Sequence, residues 1–226
     1  MGPAALTPIR RNVSLTREVV ERLRRAIVTG ELAEGAPLPE AQTAAKFGVS
    51  RVPVREALVE LERQGLVQFE SNGRARVRPF TDEDAAEILS LRQTMQTMAA
   101  RLAAQNLTDD DAKRLEAILA KARETKDLAD FSALDSAFHD EVVAIARHRR
   151  LSRVWTDLRA QMEWWLSRLH RQREKLTHDV RKATLASHKE MLDVLKSGNP
   201  KAAADLMELH CSWKGWPPQE ASGGKH

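Results

Sequence analysis

The feature that most restricts this chain is the change of pattern at Pro79. Beyond it, apolar residues recur at helical spacing and no β-prone run appears. The spacing predicts helices over about 82–105, 109–125, 129–147, 151–174, 178–197 and 200–213. The breaks between them are Asn106-Leu107-Thr108, Lys126-Asp127, His148-Arg149-Arg150 and Gly198-Asn199-Pro200. Thr81 followed by Asp82-Glu83-Asp84 reads as a cap with acids in the first turn, where the helix dipole favours them. Six amphipathic helices on short loops can bury their apolar stripes only against one another.

Before Pro79 the elements are shorter. Val19, Leu23, Ala26 and Ile27 predict a helix from about Thr16 to Gly30. A turn over 34–39 leads to a short helix over 40–47, stopped by Gly48. Ser50 is placed to cap the next helix, and Pro53 sits in its first turn, where a missing N–H does no harm. Its stripe is Val54, Ala57, Leu58 and Leu61. Two β-prone runs, 66–69 and 74–78, flank Ser71-Asn72-Gly73 and read as a hairpin. Three helices and a hairpin make the plan of a winged helix-turn-helix. The expected fold is therefore mainly α: a winged helix-turn-helix over 14–79 and a six-helix all-α bundle over 80–214, with a flexible leader at 1–13 and a flexible tail at 215–226.

With 226 residues, 42% of them hydrophobic, the chain can build real cores and is not disordered throughout. Its one cysteine, Cys211, excludes a disulfide framework and a multi-cysteine zinc module. No run approaches the roughly 18 apolar residues of a membrane span, and the first residues hold no signal-like segment. A soluble cytoplasmic protein with no membrane partner is expected. The net charge of +4 is unevenly placed: residues 1–80 hold 13 Lys+Arg against nine Glu and no Asp, and the remainder balances. Most of that excess is arginine, the side chain suited to phosphate and guanine.

A recognition helix enters the major groove by its N-terminal residues, here Ser50, Arg51, Val52, Pro53 and Arg55. Arg51 and Arg55 stand one turn apart, and an arginine set on guanine discriminates by about 1–3 kcal/mol. Arg74, Arg76 and Arg78 on the hairpin would face phosphates or the minor groove. For each arginine a solvated surface charge is the plain alternative. The runs 23–32 (LRRAIVTGEL), Gly35, 38–40 (LPE), 48–58 (GVSRVPVREAL), Leu61 and 65–67 (GLV) resemble the GntR-type winged helix. The resemblance implies operator DNA as partner, contacted by Arg51 and Arg55. Where the family usually has Thr this chain has Val52, which can touch a thymine methyl but cannot donate a hydrogen bond. The operator sequence therefore stays open.

In the second half, Phe131, Leu134, Phe138, Val142 and Ile145 form a stripe flanked by Asp135 and His139. His188 lies with Leu185, Leu192 and Leu195, and His210 with Ala203, Leu206 and Met207. Burying a carboxylate and three imidazoles is costly unless something pairs them, and a divalent cation would. Spacing alone leaves this open, because a histidine on an apolar face is more often a hydrogen-bonded core residue. Residues 82–213 are similar to the helical FCD domain of the FadR-type branch, and six helices rather than seven bring them closer to the vanillate-regulator subgroup. That resemblance implies a divalent metal, Zn or Ni foremost, held by Asp135, His139, His188 and His210. It also implies a small organic-acid effector whose carboxylate binds the metal.

Arg92 matches an arginine common in the family's first bundle helix and is the expected second anchor for the effector. It lies at the border of the stripe Ile88, Leu91, Met95, Met98/Ala99 and Leu102; snorkelling to the surface is its alternative. Gln96 replaces a frequent Glu, which alters the lining of the pocket, and Arg147-His148-Arg149-Arg150 replaces a frequent Gly-Asn. Trp155, Trp164 and Trp165, with Met162 and Leu166, read as core or dimer seam, and Trp213 and Trp216 as bundle caps. Cys211 reads as structural, and His148, His170 and His178 as surface residues. The function expected is a homodimeric, ligand-responsive transcriptional regulator on an inverted-repeat operator. Two alternatives stand beside it. A metal-dependent enzyme on the same four residues lacks a His-Glu-x-x-His motif, with Glu141 on another face. An effector-independent architectural DNA-binding protein leaves the polar bundle interior unexplained.

Overall fold

A computed structural model describes residues 13–176 and 180–212 and divides into two compact units, Met1–Pro79 and Phe80–His226. Among the described residues there are nine helices and one two-stranded sheet. None of these helices is long and apolar enough to cross a membrane.

In the first unit, α1 (Val13–Thr29) starts a turn earlier than its spacing predicts and packs on α3 (Arg51–Arg63). Val19, Leu23 and Ile27 of α1 meet Val54, Ala57, Leu58 and Leu61 of α3 in one buried core. Between them α2 (Glu40–Phe47) ends at Gly48, whose φ of 65° is left-handed. There the Gly48 and Val49 N–H groups donate back to Ala45 and Ala44, a glycine-terminated stop that frees the next residues to turn. Ser50 occupies the N-cap position of α3 with extended backbone, but its side chain makes no capping hydrogen bond, which corrects the expected cap. β1 (Val67–Phe69) and β2 (Ala75–Val77) pair antiparallel, Val67 opposite Val77 and Phe69 opposite Ala75. The segment before α2 braces this hairpin: Leu38 N–H donates to Ala75 and Val77 N–H to Ala36.

The second unit is all helical: α4 (Asp82–Asn106), α5 (Asp109–Glu124), α6 (Leu128–Ile145), α7 (Arg149–Leu176), α8 (Val180–Lys196) and α9 (Pro200–Cys211). Polar residues set the helix starts. Thr81 with Asp84, and Thr108 with Asp111, form reciprocal capping boxes, and Asp127 and Asn199 cap α6 and α9. The break after α6 turns on Arg147 at φ 51°, a left-handed position held here by a residue other than glycine. His148 then accepts the Leu151 N–H through Nδ1. α4 is the central helix, packed against α6, α7, α8 and α9.

The inward face of α4 differs from the expected stripe. Leu91 and Met98 are 46% and 42% exposed, while Arg92, Met95, Gln96 and Ala99 are buried. The buried face therefore includes Arg92 and Gln96, which meet His139 inside the bundle. Trp155, Met162, Trp164, Trp165 and Leu166 are all core. Trp213, Trp216 and His178 lie outside the described residues.

Candidate metal centre and nucleic-acid interface

α6, α8 and α9 bring His139, His188 and His210 together. Each offers one ring nitrogen, and the three nitrogens lie within 4.8 Å of one another. His139 and His188 are buried and His210 is partly so. His210 Nε2 is 3.4 Å from His139 Nε2, while its Nδ1 is 2.8 Å from Ser187 Oγ. That serine contact fixes the ring with Nε2 turned inward. Phe138 stacks on His188 at 4.2 Å between ring centroids and holds that ring flat.

Asp135 lies beside one of the three imidazoles, His188, and outside the group whose ligand atoms are all within 4.8 Å of one another. Its Oδ1 is 3.2 Å from His188 Nε2, yet the alignment is not that of a hydrogen bond and this nitrogen is buried without a hydrogen-bond partner. A buried imidazole nitrogen that meets only acceptors and other imidazoles is what a cation would satisfy. Three imidazoles and one carboxylate are a donor set suited to zinc, nickel and similar first-row ions. The residues therefore fit a divalent metal. Two of them resist protonation: burial, then the Arg92 charge, holds His139 well below the usual imidazole range, and burial, then His210, does the same for His188.

Arg92 and Gln96 enter from α4, one turn apart. Arg92 Nη2 donates to His139 Nε2 at 2.8 Å, so the inward arginine has its partner and does not snorkel. Gln96 Nε2 lies 3.5 Å from the His139 carbonyl oxygen, and Gln96 Oε1 and Arg92 Nε are buried without partners. Burial raises the Cys211 thiol above its usual range, and its Sγ lies 3.7 Å from Met207 Sδ.

Sequence reasoning missed His170. Expected at the surface, it is 3% exposed, with Nδ1 at 2.8 Å from Ser132 Oγ and Nε2 at 3.9 Å from Asp135 Oδ2. The available signal was its place four residues after Leu166 and eight after Met162, on the buried face of α7. Glu141 lies away from the centre, accepting from Arg114 Nε at 2.7 Å, and offers no general base to it.

In the first unit, Ser50, Arg51, Val52 and Arg55 are all exposed along the leading edge of α3, and Val52 is 65% exposed. The buried stripe of Pro53, Val54, Ala57, Leu58 and Leu61 lies behind them. Arg55 Nε is 3.9 Å from Glu40, a loose approach. On the hairpin Arg74 is exposed, but Arg76 is ion-paired with Glu70 within the same hairpin. That pairing engages Arg76 in the DNA-free chain and leaves Arg74 the more exposed of the two.

Residues 15–77 match the description "Bacterial regulatory proteins, gntR family", and residues 87–212 match the FCD domain. The chain is 30% identical over 208 residues to a "Probable D-xylose utilization operon transcriptional repressor" of Paenarthrobacter nicotinovorans, covering 87% of each. It is also 30% identical to the gluconate operon transcriptional repressor of Bacillus licheniformis, over 77% of this chain and 73% of that one. The fold is similar to that of E. coli McbR/YncC, with a TM-score of 0.71 at 23% identity over 87% of this chain and 94% of that chain. The first two relatives are named as transcriptional repressors. The chain belongs to the GntR family of bacterial transcriptional regulators, with the family's helix-turn-helix at its N-terminal end and an FCD domain after it.

Proposed function

We propose that this chain is an operator-binding regulator whose hold on DNA is set by a small organic acid, bound at a divalent cation in the helical unit. Asp135, His139, His188 and His210 hold the cation, with zinc or nickel the favoured occupants. The observation that carries this reading is the convergence of three imidazole nitrogens within 4.8 Å, two of the rings fully buried, beside a carboxylate. When bound, the metal supplies a Lewis-acid anchor for a carboxylate. Arg92 is the second anchor and Gln96 part of the lining, since both bring partnerless buried polar atoms to the His139 side. Two relatives are named for gluconate and D-xylose operons, which favours an acid derived from a carbohydrate.

On DNA, Arg51 and Arg55 read bases, Ser50 and Val52 touch the same groove edge, and Arg74, with Arg76 behind it, meets the backbone. The chain acts in the cytoplasm as a homodimer on an inverted repeat. Leu91 and Met98, outward on α4 and two turns apart, offer a second copy an apolar strip. The effector alters DNA binding only insofar as it binds one arrangement of the dimer more tightly than the other.

The test is a thermal-shift screen of organic acids, gluconate among them, with and without chelator, followed by operator-release assays for each compound that binds. Stabilisation that needs the metal and is matched by a change in operator affinity is the expected result. Acids that stabilise equally with chelator present would contradict the metal-anchored site.

A further inference from the structure

Asp135 stands between two imidazoles: Oδ1 is 3.2 Å from His188 Nε2 and Oδ2 is 3.9 Å from His170 Nε2. All three side chains are buried. The first imidazole belongs to the cluster already described, and the second lies outside it. His170 is fixed from behind, its Nδ1 at 2.8 Å from Ser132 Oγ, and its ring lies edge-on to Phe131 at 5.5 Å. Ser132 and Asp135 are neighbours one turn apart on α6, so a single helix face carries both the carboxylate and the group that orients its imidazole.

The same device appears at His210, whose Nδ1 meets Ser187 Oγ at 2.8 Å. In both places a serine takes Nδ1 and Nε2 is turned inward. What faces Nε2 then decides where the proton sits. At His210 it is a group of imidazole nitrogens, so a cation there needs the Nε2 lone pair, and Nδ1–H donates to Ser187. At His170 it is a carboxylate oxygen, which favours the tautomer with the proton on Nε2, and in that tautomer the Ser132 hydroxyl donates to Nδ1. One pairing presents a ligand and the other presents a donor.

We propose that His170 is a positioning residue of the metal centre: held by Ser132, it presents Nε2–H to Asp135 Oδ2 and so keeps Oδ1 turned toward the cation. The inference rests on the metal reading above. The 3.9 Å separation is an electrostatic approach and not a hydrogen bond; the N–H dipole acts on the carboxylate through a buried interior, where such fields are weakly screened. Hydrogen-bonded partners that orient metal ligands typically change metal affinity by about 10- to 100-fold when removed, and this longer approach belongs at the lower end of that range.

Cobalt(II) titration of the full chain, followed by its visible ligand-field absorption, tests this. His170→Phe is expected to weaken binding by about tenfold and to change the band pattern, because Asp135 loses its orientation. His170→Gln keeps an N–H donor and is expected to recover most of the affinity. Ser132→Ala, which releases the imidazole without removing it, falls between the two, and it carries the test alone if the Phe variant does not fold. A purely structural role would give Phe and Gln variants of equal affinity, or a Ser132→Ala variant with wild-type affinity and spectrum, and either result overturns the inference. Failure of the wild-type chain to bind cobalt overturns the metal reading and this inference with it, whereas tight wild-type binding that ignores His170 overturns the inference only.

Discussion

Arg92 Nη2 donates to His139 Nε2 at 2.8 Å in the buried centre of the helical unit, so a guanidinium sits on a nitrogen that also faces His210. A metal ion and Arg92 compete for that one lone pair. Arg92→Met keeps the apolar stem and removes the competitor. Hydrogen bonds to charged groups contribute about 1.5–3 kcal/mol, so zinc affinity is expected to rise by about tenfold or more. The same variant is expected to lose its response to organic acids. Isothermal titration with zinc, then with the acid, checks both directions.

Stability depends on pH through the same histidines. His139 and His188 are held well below the ordinary imidazole value, about 6.5, by burial first and by neighbouring charge second. Above about pH 6.5 folded and unfolded chains both carry them neutral, and the stability is fully present. As pH falls below that value the unfolded chain takes up protons that the folded one refuses. Stability then drops by up to about 1.4 kcal/mol per pH unit for each histidine until the folded values are reached. Melting of chelator-treated protein should shift down between pH 7.5 and 5.5, and the double variant His139→Asn, His188→Asn should flatten the shift. A flat wild-type profile would contradict the burial of these groups as neutral bases.

Operator binding is expected to depend on the exposed edge of α3. Arg51→Ala and Arg55→Ala should each weaken specific binding by about 1–3 kcal/mol and relax base preference. Arg74→Ala should weaken binding to all sequences alike and reduce the salt slope by about one. Fluorescence anisotropy across a salt series separates the two classes. Arg76→Ala should do less than Arg74→Ala, because Glu70 already engages it.

Much of this was legible from spacing and punctuation. Gly48, Thr81, Thr108, Asp127 and Asn199 are local signals whose effect needs only neighbouring residues, and each ends or caps a helix at or beside its expected place. The phase of α4 was less legible. Leu91 and Met98 look like core and face outward, whereas Arg92 and Gln96 look marginal and are buried, because the bundle interior here is polar. His170 was hidden by the charges of Arg168 and Arg171 beside it, although it continues the spacing of Met162 and Leu166. Ser132 and Ser187 as partners of His170 and His210 depend on how helices far apart in sequence are rotated against one another, and no local pattern encodes that.

Asp111 ties the start of α5 to its surroundings. It completes the capping box with Thr108 and receives Arg114 and Arg147, with Arg147 Nη2 at 3.2 Å. Burial alone would raise its carboxyl, but the Thr108 hydroxyl and N–H and the Arg114 guanidinium outweigh this and hold it below the usual range. Asp111→Ala is expected to destabilise the folded chain by about 1–2 kcal/mol, through the lost capping-box bonds to Thr108 and the lost ion pairs to Arg114 and Arg147. Urea denaturation checks this. Because the folded carboxyl is depressed, its contribution is present above about pH 4 and fades as pH falls through the folded value.

The most direct measurement is the zinc content of the purified chain after exhaustive dialysis, by mass spectrometry, for wild type and for His188→Ala. One equivalent per chain is expected in the wild type and a large loss in the variant, with the fold retained by circular dichroism. A wild-type chain that retains no stoichiometric metal, or a variant that retains as much as the wild type, would contradict this metal centre.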